Sequence, residues 1–350
     1  MGLVAGLTHG LFALCLVFLA VGVTWWMLRR VQIMDVPNER SSHHQPTPRG
    51  GGIAIVLTFM IGMLSILLLG EETHIKEEYF YAFAFSSFLI AAISFYDDIS
   101  AKSFKVKLFT HMIAVVVLLS CGVVLDVMSL PVLGEVHLSW VGWLISFFWL
   151  LGLTNAYNFM DGIDGLAAGT AVIVSAFFAY ITFVQGSHFI YICCYTIFAG
   201  ALGFLFFNVS PARIFMGDVG SAFLGFTFAT MAIIAARYDH SHTSFLVMPL
   251  LLFHFIFDTV FSMSRRILAG ENAWQAHRTH LYQLCVQIGC SHHQVTMFLC
   301  GLCCVQGFAA VAMVNISGEA RLFIFAPFVL CYALAAWRII HHAKRHHLLD

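Results

Sequence analysis

Apolar runs about as long as a bilayer is thick alternate with short polar stretches along the whole chain. A helix that crosses a membrane needs ~20 mostly apolar residues, and roughly eleven segments meet that measure. They are 7–28, 50–70, 79–96, 108–125, 139–157, 166–185, 189–207, 222–238, 244–264, 294–314 and 320–340. The pattern predicts an all-α, polytopic integral membrane protein of about 10–11 transmembrane helices.

Composition supports this. Charged residues make up 10% of the chain and hydrophobic ones 60%, whereas a soluble domain carries about 25% charged residues. Too little polar surface is left to cover a soluble globule. The first apolar stretch is long and ends in Arg29-Arg30, so it reads as a retained span rather than a cleaved signal. Most cysteines lie inside apolar runs, as Cys193-Cys194 and Cys303-Cys304 do, and none has zinc-site spacing. They read as small packing residues between helices. With no strong internal repeat and no low-complexity linker, residues 1–350 read as one helical domain. The closing HHAKRHHLLD reads as a solvated, interfacial tail.

Net charge is near zero and uninformative, but its distribution is not. One alternate set of linkers holds only Lys76, Arg237 and Arg321. The other holds Arg29, Arg30, Arg40, Arg49, Lys102, Lys105, Lys107, Arg213, Arg265, Arg266 and Arg278, with Arg338, Lys344 and Arg345 at the end. By the positive-inside rule the N-terminus lies outside and the C-terminus in the cytoplasm. The polar segments 35–52, 97–107, 155–165, 208–221 and 265–283 then all meet the cytoplasmic face. Transporters more often place acids near the midplane, on broken helices. Acids at span ends favour chemistry on a cytosolic substrate. A transporter of a cation or anionic solute is the alternative, and it would need access from both sides.

Asp97 and Asp98 end the third span and are followed by Lys102, Lys105 and Lys107. Adjacent carboxylates can neutralise one divalent ion or divide ion binding and base work, and lysines meet phosphate as point charges. A polar span end with positive-inside lysines explains the same residues. Asn155, Asn158, Asp161 and Asp164 recur every third residue. Neighbours in such a series meet on a helix, but each step drifts by about 60°, so the set should act as adjacent pairs around a turn. Gly162 and Gly165 let the backbone bend there. Oxygen ligands of this kind suit Mg²⁺ sharing phosphate oxygens. Asp218, between Gly217 and Gly220, is either a cation ligand or a helix N-cap. The loop HRTHLYQ carries His277, Arg278, His280, Tyr282 and Gln283. Arg and His are natural phosphate contacts, and although loop histidines are usually just exposed, this group is dense. Arg49 in PTPRGGG could reach a phosphate or base, though entry to the second span alone explains the glycines. Asp258 reads as structural glue, paired with Arg265, Arg266 or His254.

FYDDIS, NAYNFMDGIDGLAAG, FNVSPARIFMGDVGS and HRTHLYQ occur in the order seen in the polyprenyl-phosphate N-acetylhexosamine-1-phosphate transferases, glycosyltransferase family 4. The resemblance spans about 35–283 and is greatest to the bacterial undecaprenyl-phosphate enzymes that initiate O-antigen and other surface polysaccharides. The peptidoglycan translocase carries three consecutive histidines in its last loop, and here only His280 of His280-Leu281-Tyr282-Gln283 fits. That argues against a muramoyl-pentapeptide substrate.

The resemblance implies a Mg²⁺ cofactor, with Mn²⁺ as a substitute, and a bilayer setting in the bacterial inner membrane. UDP-N-acetylhexosamine and undecaprenyl phosphate are the implied partners. Nucleic acid is not implied, and a homodimer is allowed. It implies Asp218 as the main metal ligand with Asn158 at the metal or its diphosphate. It implies Asp97, with Asp98 beside it, acting on the lipid phosphate, and Lys107 holding a phosphate. Asp161 and Asp164 would lie near the nucleotide, with Asp164 closest to uracil. Asn155, Arg49, Arg278 and His280 complete the expected substrate-binding set. The lipid phosphotransferases that use CDP-linked donors fit poorly, because Asp161-Gly162 continues as Ile163-Asp164-Gly165 with no Arg following. A non-catalytic membrane scaffold leaves the density of charge at one face unexplained.

Overall fold

Backbone groups inside a bilayer have no water to bond, so apolar runs satisfy them internally as helices. The computed structural model describes residues 3–31, 33–37, 45–69, 75–100, 104–130, 133–271 and 278–349. Its helices are α1 (Leu3–Arg30), α2 (Ile53–Leu69), α3 (Glu77–Ser100), α4 (Phe104–Ser120), α5 (Ser139–Phe159), α6 (Leu166–Val184), α7 (Phe189–Asn208), α8 (Asp218–Arg237), α9 (Val247–Leu251), α10 (Phe253–Leu268), α11 (Leu281–Gln287), α12 (His292–Met313) and α13 (Phe325–Arg345). A 3₁₀ segment, Gly318–Ile324, precedes α13. Two small antiparallel hairpins interrupt the helices: β1 (Met34–Asp35) with β2 (Thr47–Pro48), and β3 (Val127–Leu130) with β4 (Gly134–His137).

Every apolar run expected to span coincides with a helix, and the chain is a polytopic membrane protein. Eight helices among the described residues are long and apolar enough to cross by themselves. The differences have local causes. Helices α2 and α4 are 17 residues each, roughly 25 Å at 1.5 Å per residue against a ~30 Å hydrocarbon core. The run 244–264 is divided into α9 and α10 at Leu252, shortly after Pro249, which has no N–H to continue the ladder. Helix α4 begins earlier than expected, so Lys107 lies on it rather than on a linker. Residues 126–138, expected as a plain linker, carry the β3–β4 hairpin.

Helix α8 forms the centre: the run from Val219 to Ala235 is buried throughout. A helix apolar on all sides belongs in an interior. Helices α3, α5 and α2 pack around it, while α7 lies against α6, α1 and α2, and α12 lies against α6 and α9. The backbone just ahead of α2 touches that of α8. A Cβ on Gly52 would stand 2.4 Å from the Gly220 Cα. Phe18, Phe85, Phe148, Phe206, Phe308 and Trp337 point outward, as a lipid-facing surface requires. Helix α10 inverts the pattern of a soluble helix. Its polar His254, Asp258, Ser262 and Arg266 are buried, and Val260, Ile267 and Leu268 are exposed. At the far end of α8, Arg237 meets Asp126 in a bidentate pair of 2.5 and 3.2 Å. The Tyr238 hydroxyl lies 2.7 and 2.8 Å from the carbonyls of Gly122 and Val124.

Candidate active site

Helices α3 and α5 end where α4 and α8 begin, so four helix termini share one end of the bundle. Helix ends carry unmet backbone groups and partial charges, and polar side chains belong there. Asn158, in the last turn of α5, donates from Nδ2 to Asp218 Oδ1 at 2.7 Å and to Ser221 Oγ at 2.8 Å. Its Oδ1 accepts from Lys107 Nζ at 2.8 Å. Lys107 also makes a close ion pair with Asp218 Oδ2. The Asp97 carboxyl reaches the Asp218 carboxyl as well. Asp97, Lys107, Asn158 and Asp218, from four separate helices, thus meet.

Asp98 faces differently from its neighbour. It is 2% exposed, and its oxygens accept the backbone N–H groups of Asp218 at 3.1 Å and Val219 at 3.0 Å. A carboxylate from α3 therefore caps α8. Gly217 makes this fit possible. Its φ is 76°, and a Cβ there would lie 2.7 Å from Asp98 Oδ2. Arg49 bonds the Asp98 carbonyl at the end of α3 and brings Nη1 within 3.9 Å of Asp98 Oδ1. Its segment is pinned to the approach of α8: Phe215 N–H donates to the Pro48 carbonyl at 2.8 Å, and the Gly51 and Gly52 N–H groups donate to the Phe215 and Met216 carbonyls at 3.0 and 2.9 Å.

The Asn/Asp series divides at the turn as expected, but the members of each pair take different partners. Asn155 and Asn158 sit on α5, while Asp161 and Asp164 lie on the turn before α6. Asn155 donates to the Leu151 carbonyl at 2.7 Å, and its Oδ1 is buried without a partner among the described residues. Burial and the nearby Asp218 and Asp98 carboxylates push Asp161 well above the usual carboxylate range. Asp164 is turned into the fold. Its Oδ2 accepts the Ala212 N–H at 3.2 Å, its Oδ1 lies 3.4 Å from His292 Nδ1, and its carbonyl accepts the Thr296 hydroxyl at 2.8 Å. Burial by itself would raise its pKa, but His292 and the Ala212 N–H outweigh that and hold it below the ordinary value.

His280 precedes α11, a helix where a loop was expected. Its Nδ1 is 3.1 Å from Asp258 Oδ1. The same carboxylate accepts the N–H groups of Leu281 at 2.9 Å and Tyr282 at 3.0 Å, and the Ser262 hydroxyl at 3.0 Å. Asp258 is therefore structural, as expected, with His280 and the α11 N-terminus as partners in place of direct bonds to Arg265, Arg266 or His254. Tyr282 extends this tie by donating to the Phe159 carbonyl at 2.9 Å. Arg278 is half-buried, and its carbonyl accepts from Gln287 Nε2 at 2.5 Å. His277, Lys102 and Arg40 lie outside the described residues.

Sequence reasoning passed over Asn208 and His292. Asn208 is 3% exposed. It accepts the Gly165 N–H at 3.0 Å and donates to the Ile214 carbonyl at 3.0 Å, joining the turn before α6 to the approach of α8. Its signal was an amide in FNVSP at the close of an apolar run. Nothing marks His292 until the fold brings it to Asp164.

Among the described residues, no three His, Cys, Asp or Glu side chains group as an all-protein metal site. The donors present suit a different kind of site. Asn158 Oδ1 and Asp218 Oδ2 converge on the Lys107 ammonium, a cation already in place. One carboxylate and one carboxamide fit a hard divalent ion that completes its shell with water and phosphate oxygens.

Fold and site together define a multi-pass membrane protein with a carboxylate, amide and ammonium cluster built at helix ends. Residues 80–236 match the family model for glycosyl transferase family 4. The chain is 31% identical over 304 residues to a probable undecaprenyl-phosphate N-acetylglucosaminyl 1-phosphate transferase of Bacillus subtilis strain 168, covering 86% of this chain and 82% of that one. It is 30% identical over 317 residues to the decaprenyl-phosphate N-acetylglucosaminephosphotransferase of Mycobacterium tuberculosis H37Rv, covering 83% and 78%. It is 31% identical over 242 residues to the phospho-N-acetylmuramoyl-pentapeptide-transferase of Listeria monocytogenes serotype 4b strain F2365, covering 64% and 74%. The chain belongs to glycosyl transferase family 4.

Proposed function

We propose that this protein transfers N-acetylhexosamine-1-phosphate from a UDP-sugar to undecaprenyl phosphate at the cytoplasmic face of the bacterial inner membrane. The observation that carries this is the meeting of Asp97, Lys107, Asn158 and Asp218 at one end of the bundle, in a chain whose relatives are named for polyprenyl-phosphate sugar-phosphate transfer. The product opens the membrane stage of O-antigen or another surface polysaccharide.

A lipid phosphate oxygen attacks the β-phosphorus of the UDP-sugar. The new P–O bond gives the lipid diphosphate-linked sugar, the bond between the α- and β-phosphoryl groups breaks, and UMP carries away the electron pair. Two anions must approach, so charge neutralisation is the main requirement. Asp218 and Asn158 would hold Mg²⁺, which would supply charge neutralisation at the reacting phosphates. Lys107 and Arg278 supply positive charge, and Arg49 holds the rim. The attacking phosphate monoester is largely ionised near neutrality, with a second pKa of about 6. Asp97 accordingly positions this phosphate or takes its last proton. Asp98 sets the α8 terminus on which Asp218 stands. Asp161, Asp164 and Asn155 shape the nucleotide side, and His280, held by Asp258, faces the diphosphate or sugar. Direct displacement is preferred to an aspartyl-phosphate route, since one pocket must hold both substrates.

The test uses purified protein, Mg²⁺, undecaprenyl phosphate and a panel of UDP-amino sugars, with UMP and lipid-linked product as readouts. The expected outcome is Mg²⁺-dependent release of UMP with at least one donor. Folded protein that turns over none of them overturns the proposal.

A further inference from the structure

We propose that Lys107 is the resident counter-ion of the cation site, exchanged for the divalent ion on loading and released toward the anionic substrates. The inference rests on the reading of Asp218 and Asn158 as metal ligands. The two oxygens that a divalent ion would take, Asp218 Oδ2 and Asn158 Oδ1, are both spent on one ammonium. The other Asp218 oxygen and the Asn158 amide nitrogen are bonded to each other at 2.7 Å, and Ser221 fixes the same amide at 2.8 Å. The amide is thereby oriented with its oxygen toward the cation and cannot turn to serve two cations in different places. The Lys107 side chain is 9% exposed. The buried charge here is the ammonium, which needs an anionic partner, while Asp218 keeps 30% of its side chain exposed. One position between two oxygens takes one cation.

Lysine suits an exchangeable partner. Its charge is compact and rides on a flexible four-carbon stem, so Nζ can move while α4 stays still. Displaced by the metal, the ammonium carries its charge to a phosphate. Metal binding and phosphate binding thereby favour each other, and such coupling is reciprocal. Lys107 holds the unloaded site together and, once displaced, serves the reaction.

Full-length protein in detergent, titrated with Mn²⁺ and read by the electron paramagnetic resonance of the free ion, tests this. Lys107→Met and Lys107→Gln should bind Mn²⁺ roughly tenfold more tightly than the unaltered protein, since the competing cation is gone. Lys105→Met removes the same charge from an exposed position on α4 and should bind as the unaltered protein does. Asp218→Asn should lose the site. Should the Lys107 variants fold poorly, Mn²⁺ should raise their melting temperature more than that of the unaltered protein, by mass action. Unchanged or weaker Mn²⁺ binding in both Lys107 variants, with Asp218→Asn still abolishing it, overturns the exchange and leaves the metal reading standing. Equal binding in Asp218→Asn and the unaltered protein overturns the metal reading and the exchange with it.

Discussion

Asp98 closes the helix that Asp218 opens: its Oδ1 accepts the Asp218 N–H at 3.1 Å while its Oδ2 takes the Val219 N–H. Two adjacent acids at one helix end therefore have separate tasks, one supporting the backbone and the other reaching the Asp218 side chain. Asp98→Ala should lower stability by about 1–2 kcal/mol, the usual cost of a lost cap, seen as a lower melting temperature in detergent. Asp97→Asn should keep the melting temperature and nearly abolish UMP release. Asp218→Ala should also abolish release, at a lower melting temperature because the buried Lys107 ammonium loses its partner. Full activity in either of the latter two would refute their assignment, and an Asp98→Ala protein that melts normally would remove the capping role.

The entry to α2 leaves no room for a methyl group against α8, since a Cβ on Gly52 would lie 2.4 Å from one backbone atom of Gly220 and 2.6 Å from another. Gly52→Ala should destabilise the protein by about 1–3 kcal/mol through overpacking. Gly152, on α5, has nothing within 4 Å of its added Cβ. Gly152→Ala should match or slightly exceed the parent, because alanine favours helix. Thermal melting of the two variants side by side checks the contrast.

Tyr282 joins the α11 segment to the end of α5 through the Phe159 carbonyl. Tyr282→Phe removes one hydrogen bond, about 0.5–1.5 kcal/mol, and loosens the turn that carries Asp161. With the ring retained, kcat/KM for the UDP-sugar should fall by about three- to tenfold, with little loss of folded protein. An unchanged kcat/KM would separate this tie from catalysis.

Acid should expose the role of Asp164. Its folded pKa is depressed by His292 and the Ala212 N–H despite burial. The stability it contributes is therefore fully present above the ordinary carboxylate value of 3.8 and is lost as pH falls through the lowered value. As pH falls below 3.8, the melting temperature of the unaltered protein should drop more steeply than that of Asp164→Asn. Parallel curves would show that the His292 contact contributes nothing.

Much of this was legible in the chain. Run length and composition fixed the helices, because a bilayer leaves apolar backbone few other options. The chemistry of the site was legible as residue types at span ends, and Asp97, Asn158, Asp218 and Lys107 were all named from sequence. Their partners were not. Neighbouring Asp97 and Asp98 look equivalent in sequence, and only the position of the α8 terminus shows that one is spent on backbone N–H groups. Asp258 was readable as structural, but its bond to His280 crosses 22 positions and follows no local period.

The sequence by itself determined that this is a multi-pass helical membrane protein with acids, amides and cations gathered at span ends, since hydrophobic length and the cost of burying charge act on each segment independently. Tertiary structure alone decided which carboxylate faces which group: Asp98 to a helix terminus, Asp164 to His292, Asp218 to Lys107. Those choices depend on how helices cross and where glycines let backbones touch. They are long-range packing relationships that no stretch of residues contains.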